Sequence, residues 1–388
     1  MNHLEKISIM LTDSARSGSL SQSILLVGRP GVGKFSIALN IARSLLCENN
    51  MNGCGNCRSC KDVNRLIHPD FLLLFPFPNL KPESRKVTVF QFSDPVSSQA
   101  RFSEDTRDEV ERFREIKIED PFAIVDFDKK ENIPVETVKD LMRALAKRPL
   151  KSGRRAVVIL DIDKMAFGAA DLFLKTVEEP PFDSHLILTT SRPDLLLPTL
   201  LSRTHIVKVP PAANDDLESF LVQKLGVKNS EASFLTRISG GTPGGAVYLH
   251  ESGIFERRAR VIAFFAGLCA GKDTNRLIDL VNGEYSFKRP KLEEVRLDFE
   301  IMESLIHDLY LLRENDLDKY LVNVDIKGKL MELGRPEAAA LDIWKACCAE
   351  TKRACLVNNV SAGTAMAFFY ISCAGAMENP AGISFKLP

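Results

Sequence analysis

The sequence predicts an α/β domain with a parallel sheet in its N-terminal half, followed by segments that are helical throughout. Strand-like apolar runs at residues 24–27, 156–160 and 186–188 alternate with segments of helical spacing. Such alternation indicates a parallel sheet with helices on both faces. After Pro210 and Pro211 the apolar pattern is only helical, with long amphipathic runs near 254–269, 291–314 and 337–357. The fold class is therefore α/β, with all-α segments after it.

Length and composition limit the classes of protein that fit. The chain has 388 residues, and at about 150 residues per domain this length suggests two or three domains. Charged residues make up 26% and hydrophobic residues 45%, a balance that excludes a disordered or collagen-like chain. With 51 basic and 51 acidic residues the net charge is zero, which argues against a protein that coats nucleic acid through its overall charge.

Two segments bear on the membrane and the compartment. The N-terminal residues MNHLEKISIM are too polar for the apolar core of a secretory signal. The longest uncharged stretch, 354–377, contains polar residues such as Asn358, Asn359 and Thr364. These residues favour a buried core helix over a membrane span. We therefore expect a cytoplasmic protein with no membrane partner.

The pattern places domain boundaries near residues 208 and 250. Residues 1–207 form the α/β domain, 208–250 a small helical domain and 251–388 a helical C-terminal domain. Within the first domain, a cysteine-rich module at 47–60 is followed by an irregular insertion from about 75 to 130. The charged tract 103–115 in this insertion predicts an exposed helix.

A glycine-rich turn carries the first motif, Gly28-Arg-Pro-Gly31-Val-Gly33-Lys34-Phe35. It fits the G-x-x-x-x-G-K spacing of a phosphate loop, between a strand and a helix, where backbone N–H groups and the lysine hold phosphates. Phe35 replaces the hydroxyl residue that binds magnesium, and Ser36 lies about 100° further round the helix. The residues Gly28, Gly31, Gly33 and Lys34 can thus hold ATP, but magnesium-dependent turnover is not expected. The alternative is a turn without a ligand.

Asp161 follows the apolar run 156–160 directly. A carboxylate at the end of such a strand commonly lies beside the magnesium of a phosphate-loop protein. The next residue is Ile162, where hydrolysing proteins carry a glutamate that polarises water, and Asp163 would point to the opposite face of a strand. A carboxylate that only caps the next turn explains Asp161 nearly as well.

Four cysteines lie within fourteen residues, Cys47, Cys54, Cys57 and Cys60. This spacing suits tetrahedral zinc bound by four thiolates. A redox pair of the C-x-x-C type would leave the other two cysteines unexplained. With no catalytic group nearby in the sequence, we expect a closed, structural zinc site.

Taken together, these segments resemble clamp-loader subunits of the AAA+ class, over nearly the whole chain. The most specific pieces are the phosphate loop followed at once by the cysteines, His68-Pro-Asp70, and 173–181 with the sequence FLKTVEEPP. Ser202-Arg203-Thr204 resembles the family's Ser-Arg-Cys motif. The resemblance implies that Arg203 acts in trans on ATP bound by a neighbouring subunit, although an arginine after a helix end is usually only a surface residue. It also implies that Thr190 occupies the first nucleotide-sensor region, 208–250 the lid and 251–388 the oligomerisation collar.

Within this family the chain is more similar to the delta-prime stator than to the ATP-hydrolysing gamma/tau motor. Phe35 and Ile162 replace residues that the motor needs, and the lid lacks an arginine between Arg237 and Arg257. The resemblance implies a non-hydrolysing subunit of the DNA polymerase III clamp loader. Its partners would be the gamma/tau and delta subunits, the sliding clamp and, through the complex, primer-template DNA. The alternative is an active motor or a related AAA+ ATPase; a zinc-dependent DNA-binding protein has little support, since no basic run surrounds the cysteines.

Overall fold

The computed structural model describes residues 2–49, 53–78, 104–125, 127, 131–269, 292–313, 317–334, 336–356 and 360–378. The chain divides into two compact units. The first comprises 1–220 with 241–248, and the second comprises 221–240 with 249–388. Part of the insertion predicted at about 75–130, mainly residues 79–103, lies outside the described residues.

A five-stranded parallel sheet forms the centre of the first unit. The strands of this unit are β1 (Ser23–Val27), β2 (Phe71–Leu74), β3 (Phe77–Pro78), β4 (Glu131–Asn132), β5 (Arg155–Ile159), β6 (Ser184–Thr190) and β7 (His205–Lys208). The spatial order in the five-stranded sheet is β2-β5-β6-β1-β7, and every neighbouring pair is parallel. β3 and β4 form a separate antiparallel pair.

Side chains on successive strand residues point to opposite faces of the sheet. Both faces of this sheet carry buried apolar residues, and helices cover both. Ile24 and Leu26 of β1 belong to one buried cluster, which includes apolar residues of the first two helices. Leu25 belongs to the other cluster, with Leu141 and Phe173. The helices of this unit are α1 (Asn2–Ser17), α2 (Lys34–Leu46), α3 (Arg58–Asn64), α4 (Glu104–Glu119), α5 (Val135–Leu145), α6 (Ala169–Glu178), α7 (Pro198–Leu201), α8 (Asn214–Leu225, which continues into the second unit) and α10 (Pro243–Glu251).

The described part of the second unit is helical. Trp344 is fully buried; its indole donates a hydrogen bond to the Cys373 carbonyl at 3.0 Å and its ring meets Phe265 edge-on. None of the described helices combines the length and hydropathy that crossing a lipid bilayer requires. The helices are α9 (Asn229–Ile238), α11 (Ile254–Cys269), α12 (Leu292–Leu311), α13 (Lys327–Glu332), α14 (Ala338–Leu356) and α15 (Ala362–Glu378).

The α/β class with a parallel sheet is confirmed, with several local differences. The sequence analysis did not identify β2, the edge strand β7 or the N-terminal helix α1. The helix predicted for the charged tract is present as α4, but it is not exposed all round. Val110, Phe113 and Lys117 lie at spacings of three and four along one side of α4 and are buried. Charged residues on the other side of α4 dominate the sequence of this tract, so its pattern predicts only an exposed helix.

Candidate functional site

The segment predicted as a phosphate loop lies at the carboxyl end of β1, an interior strand of the sheet between β6 and β7. β1 ends at Val27 and α2 begins at Lys34. Gly31 and Gly33 adopt φ angles of 70° and 104°, a backbone region that residues with a side chain rarely adopt. The Gly28 amide donates a hydrogen bond to the Thr190 carbonyl at 3.2 Å. The segment is therefore a strand-to-helix turn that requires glycine at two positions.

The ammonium group of Lys34 folds back on the loop. Nζ donates hydrogen bonds to the carbonyls of Gly28 at 2.6 Å and Arg29 at 2.9 Å. Burial lowers the pKa of Lys34 to about 8, against the opposing influence of the Asp161 and Asp163 carboxylates. In this conformation the ammonium group is therefore hydrogen bonded to carbonyl oxygens of its own loop.

Asp161, Asp163 and Thr190 lie at the carboxyl ends of β5 and β6, at the same end of the parallel strands as the loop. Asp161 has a left-handed φ of 46°, and its amide donates to the Thr189 hydroxyl at 3.0 Å. The chain then turns into a 3-10 helix, Ile162–Lys164, so Asp163 is not on a strand. Thr190 Oγ1 donates a hydrogen bond to Asp163 Oδ1 at 2.5 Å. The sensor-region threonine is thus paired with the carboxylate that follows Ile162.

The insertion places two further residues at the loop. The Phe122 ring lies against Gly33: a methyl group in place of the Gly33 hydrogen would come within 2.7 Å of it. Lys117 Nζ lies 5.2 Å from the centroid of the Phe35 ring. Neither Lys117 nor Phe122 was identified from the sequence, because both contacts join segments that are far apart along the chain.

The four cysteines converge on one point. Their sulfur atoms all lie within 4.8 Å of one another, and the pairs Cys47–Cys57 and Cys54–Cys60 are each 4.0 Å apart. Zinc–sulfur bonds of about 2.3 Å place tetrahedral thiolates about 3.8 Å apart. All four cysteines are free of disulfides. The donor set and its spacing therefore fit a metal such as zinc.

Backbone amides donate hydrogen bonds to two of these sulfur atoms, whereas burial raises the pKa of Cys60. The Cys57 amide donates to Cys54 Sγ and the Cys60 amide donates to Cys57 Sγ, each at 3.4 Å. The amides of Cys57 and Asn56 lower the pKa of Cys54 to about 6. Such N–H bonds stabilise the negative charge of sulfur ligands around a metal.

A buried polar network connects the cysteine module to the sheet. His68 is fully buried; its Nδ1 accepts a hydrogen bond from the Asp70 amide at 3.1 Å, and Nε2 lies 3.2 Å from Ser59 Oγ. Because Nδ1 accepts, the proton of the neutral ring is on Nε2 and is donated to Ser59. Ser59 in turn donates to Glu48 Oε1 at 2.8 Å. The segment His68-Pro-Asp70 is thus hydrogen bonded, through Ser59, to the cysteine module.

Asp70 fixes the loop before β5. Its carboxylate accepts hydrogen bonds from the amides of Leu150, Lys151 and Ser152 at 2.6–2.9 Å, and from the Ser152 hydroxyl. Burial by itself would raise the pKa of Asp70, but these hydrogen bonds outweigh burial and hold the pKa below its ordinary value. No local pattern predicts this role of Asp70, because it depends on a contact across about eighty residues.

Arg203 follows the short helix α7. Its Nε donates to Glu178 Oε2 at 2.8 Å and Nη1 donates to the Thr199 carbonyl at 3.1 Å. The side chain is 35% exposed. Glu178 ends α6, inside the segment FLKTVEEPP that the sequence analysis singled out. These two hydrogen bonds fix the orientation of the guanidinium. The side chain is exposed enough to contact another molecule at this surface.

Comparisons with a family model and with curated proteins relate the chain to known proteins. A family model described as "DNA polymerase III, delta subunit" matches residues 3–213. DNA polymerase III subunit delta' of Pseudomonas aeruginosa is 28% identical over 246 residues, which cover 62% of this chain and 60% of that protein. The subunit delta' of Escherichia coli is 23% identical over 325 residues, 83% of this chain and 79% of that protein. DNA polymerase III subunit gamma/tau of Mycobacterium bovis is 24% identical over 62% of this chain, but over only 34% of its own length.

Proposed function

The chain belongs to the DNA polymerase III delta-subunit family, as a clamp-loader subunit of the delta-prime type, and on this premise we propose that it is a non-hydrolysing stator. In this role it helps to load the sliding clamp onto primed DNA during replication. It does so beside gamma/tau and delta subunits, in the cytoplasm, and reaches primer-template DNA through the complex. Arg203 supplies positive charge to ATP bound by the neighbouring subunit.

The observation that carries this proposal is the setting of Arg203. Glu178 and the Thr199 carbonyl hold the guanidinium at the surface, so little entropy remains to be lost when it meets a phosphate. Leu195, Leu197 and Ile206 in the same stretch of chain are exposed. Exposed apolar side chains next to a fixed arginine are typical of a surface that packs against another protein.

The chain's own phosphate loop supports the non-hydrolysing part of the proposal. Phe35 is buried at the position where a hydroxyl would bind magnesium, and Ile162 is buried where a glutamate would activate water. Asp163, the nearest carboxylate that could replace this glutamate, is hydrogen bonded to Thr190. We propose that Gly28, Gly31, Gly33, Lys34, Asp161 and Thr190 form a degenerate nucleotide site without turnover.

The remaining parts of the proposal concern the zinc and the domains. Cys47, Cys54, Cys57 and Cys60 would hold structural zinc, which fixes the backbone of the module and takes no part in chemistry. Residues 1–207 act as the AAA+ domain, 208–250 as the lid and 251–388 as the collar. The helical character of the described residues after 208 supports the last two assignments.

The test is ATP turnover by a reconstituted loader containing this chain, ATP-hydrolysing subunits, clamp and primed DNA. Arg203→Ala should lower turnover at least about a hundredfold without preventing assembly, because a trans arginine contributes roughly 10³–10⁵ in related phosphoryl-transfer systems. Arg203→Lys should recover little, since the ammonium lacks the planar fork of the guanidinium.

Arg143→Ala is the matched control. Arg143 is also exposed and also paired with one carboxylate, that of Asp140, so its loss should leave turnover unchanged. Unaltered turnover with Arg203→Ala in an assembled complex would refute the trans role. ATP hydrolysis by the purified chain alone, abolished by Lys34→Ala, would instead identify a motor.

A further inference from the structure

The insertion of the first unit has no role in the stator function, yet part of it lies on the phosphate loop. Helix α4 is followed by a turn at residues 120–124, in which Asp120 accepts hydrogen bonds from the amides of Phe122 and Ala123 through its side chain and its carbonyl, respectively. This turn is therefore an ordered structure, and its next residues face the glycines of the loop.

Contacts between the turn and the loop are as close as glycine permits. Phe122 lies against Gly33, and Ile124 lies against Gly31, where an added methyl group would come within 3.1 Å of its Cδ1. On the other side the Gly244 amide donates to the Gly31 carbonyl at 2.9 Å, and a methyl group on Gly244 would come within 1.9 Å of the Phe122 carbonyl oxygen. Backbone and side chains thus fill the space directly above the loop.

Lys117 brings a buried cation to the same place. Nζ donates a hydrogen bond to the Ala123 carbonyl at 2.5 Å and lies over the rings of Phe35 and Phe113, at 5.2 and 5.8 Å from their centroids. Burial lowers the pKa of Lys117 to about 8, while the carboxylates of Asp161 and Asp120 oppose this change. The Asp161 and Asp120 carboxylates favour the charged form of this ammonium group, so its positive charge lies within electrostatic reach of Asp161, the position considered for a metal ion.

Stacked aromatic rings fix α4 in this position. Phe113 stacks on Phe75, next to the end of β2, with centroids 3.7 Å apart and an interplanar angle of 8°. Phe127 lies nearly parallel to the same Phe113 ring, with centroids 6.2 Å apart. Helix α4 is therefore attached to the sheet and not only to the loop.

We propose that Lys117 and the turn 120–124 are a built-in occupant of the phosphate-loop site that keeps nucleoside triphosphates out of it. The turn covers the glycines, and the ammonium group supplies the positive charge that a nucleotide-bound metal would bring next to Asp161. A phosphate chain can enter only when this segment leaves. The proposal deepens the proposed stator function and rests on it, since a stator needs no nucleotide of its own.

The test measures ATP binding by the purified full chain, with and without Mg²⁺, by titration calorimetry. The unaltered chain should bind no ATP at micromolar concentrations. Lys117→Met with Phe122→Ala should bind ATP at least about tenfold more tightly, because apparent affinity scales with the fraction of molecules whose site is open. Adding Lys34→Ala to that variant should abolish the gain.

Lys139→Met with Phe167→Ala is the matched control, since it removes one exposed lysine and one exposed phenyl ring of the same unit. It should leave ATP binding unchanged. If the double variant does not fold, Lys117→Met and Phe122→Ala are tested singly, each with a smaller expected gain.

Micromolar ATP binding by the unaltered chain would overturn the proposal, and so would folded variants that bind no better. Neither result would alter the dependence of the assembled loader on Arg203, so failure here is distinct from failure of the stator function.

Discussion

Glu178 holds Arg203: its Oε2 accepts a hydrogen bond from the guanidinium Nε at 2.8 Å. Glu178 is the last residue of α6 and Arg203 lies two residues after the end of α7, so the carboxylate sets the direction of the guanidinium from a separate element. Glu178 is accordingly a positioning residue for the proposed trans role.

Removal of this carboxylate should weaken the action of Arg203 without abolishing it. We expect Glu178→Ala to lower turnover of the reconstituted loader about two- to fivefold, because a partly exposed ion pair contributes only about 0.2–1 kcal/mol. Glu178→Gln should restore most of the turnover, since its amide oxygen can still accept from Nε. A loss as large as that of Arg203→Ala, or a failure of Glu178→Gln to restore turnover, would contradict a purely positioning role.

The cysteine module should contain one zinc ion per chain. Metal analysis of protein purified without chelator is expected to give this ratio, and Cys57→Ser should lower it and reduce the thermal unfolding temperature, because structural zinc binding contributes directly to folding. Cys355→Ser, in the second unit and outside the module, is the control and should leave the zinc content unchanged. Protein that is folded and free of zinc would disprove the assignment.

Asp70 should make stability depend on pH in a predictable direction. Its pKa in the folded protein is lower than the ordinary value of 3.8, so the native state favours the charged form. The resulting stabilisation is complete above the unfolded-state pKa and is lost as the pH falls through the folded-state pKa. At pH 7 Asp70→Asn should lower the free energy of unfolding by about 1.5–3 kcal/mol, the range for hydrogen bonds to a charged group.

The difference between Asp70→Asn and the unaltered protein should shrink as the pH falls toward the folded-state pKa. Denaturant unfolding of the full chain at several pH values measures this dependence. Asp194→Asn removes an exposed carboxylate paired with Arg192 and should cause little change at any pH. A destabilisation by Asp70→Asn that is constant across the acid range would exclude the electrostatic explanation.

Local motifs could be predicted from the sequence, whereas contacts between distant segments could not. The phosphate-loop motif and the four cysteines each depend on spacing within a few turns of chain, and the structure brings the four cysteines together as their spacing implies. Lys117 illustrates the other case. It stands between Ile116 and Ile118, directly after the charged tract 103–115. Nothing in this local pattern distinguishes it from a solvated lysine, and only its packing over Phe35 reveals its position.

Strand assignment failed for a similar reason. β7 is four residues long, and three of its four residues are exposed, so it lacks the continuous apolar run that identified β5 and β6. The sequence predicts that Asp161 ends an extended strand, but the backbone turns left-handed at that residue. Asp163 therefore lies on a 3-10 helix, where it accepts a hydrogen bond from Thr190, and not on a strand face opposite Ile162.

The interior position of β1 in the sheet has a consequence for synthesis on the ribosome. Among the described residues β1 pairs with β6 and β7, which are translated much later, and such non-local pairing is slow because a long loop must close first. A nascent chain therefore carries β1 without β6 until residues beyond 190 have emerged, and without β7 until residues beyond 208 have emerged. All four cysteines of the module lie within residues 47–60, so their thiols are available to a metal ion before either strand partner of β1 has been made.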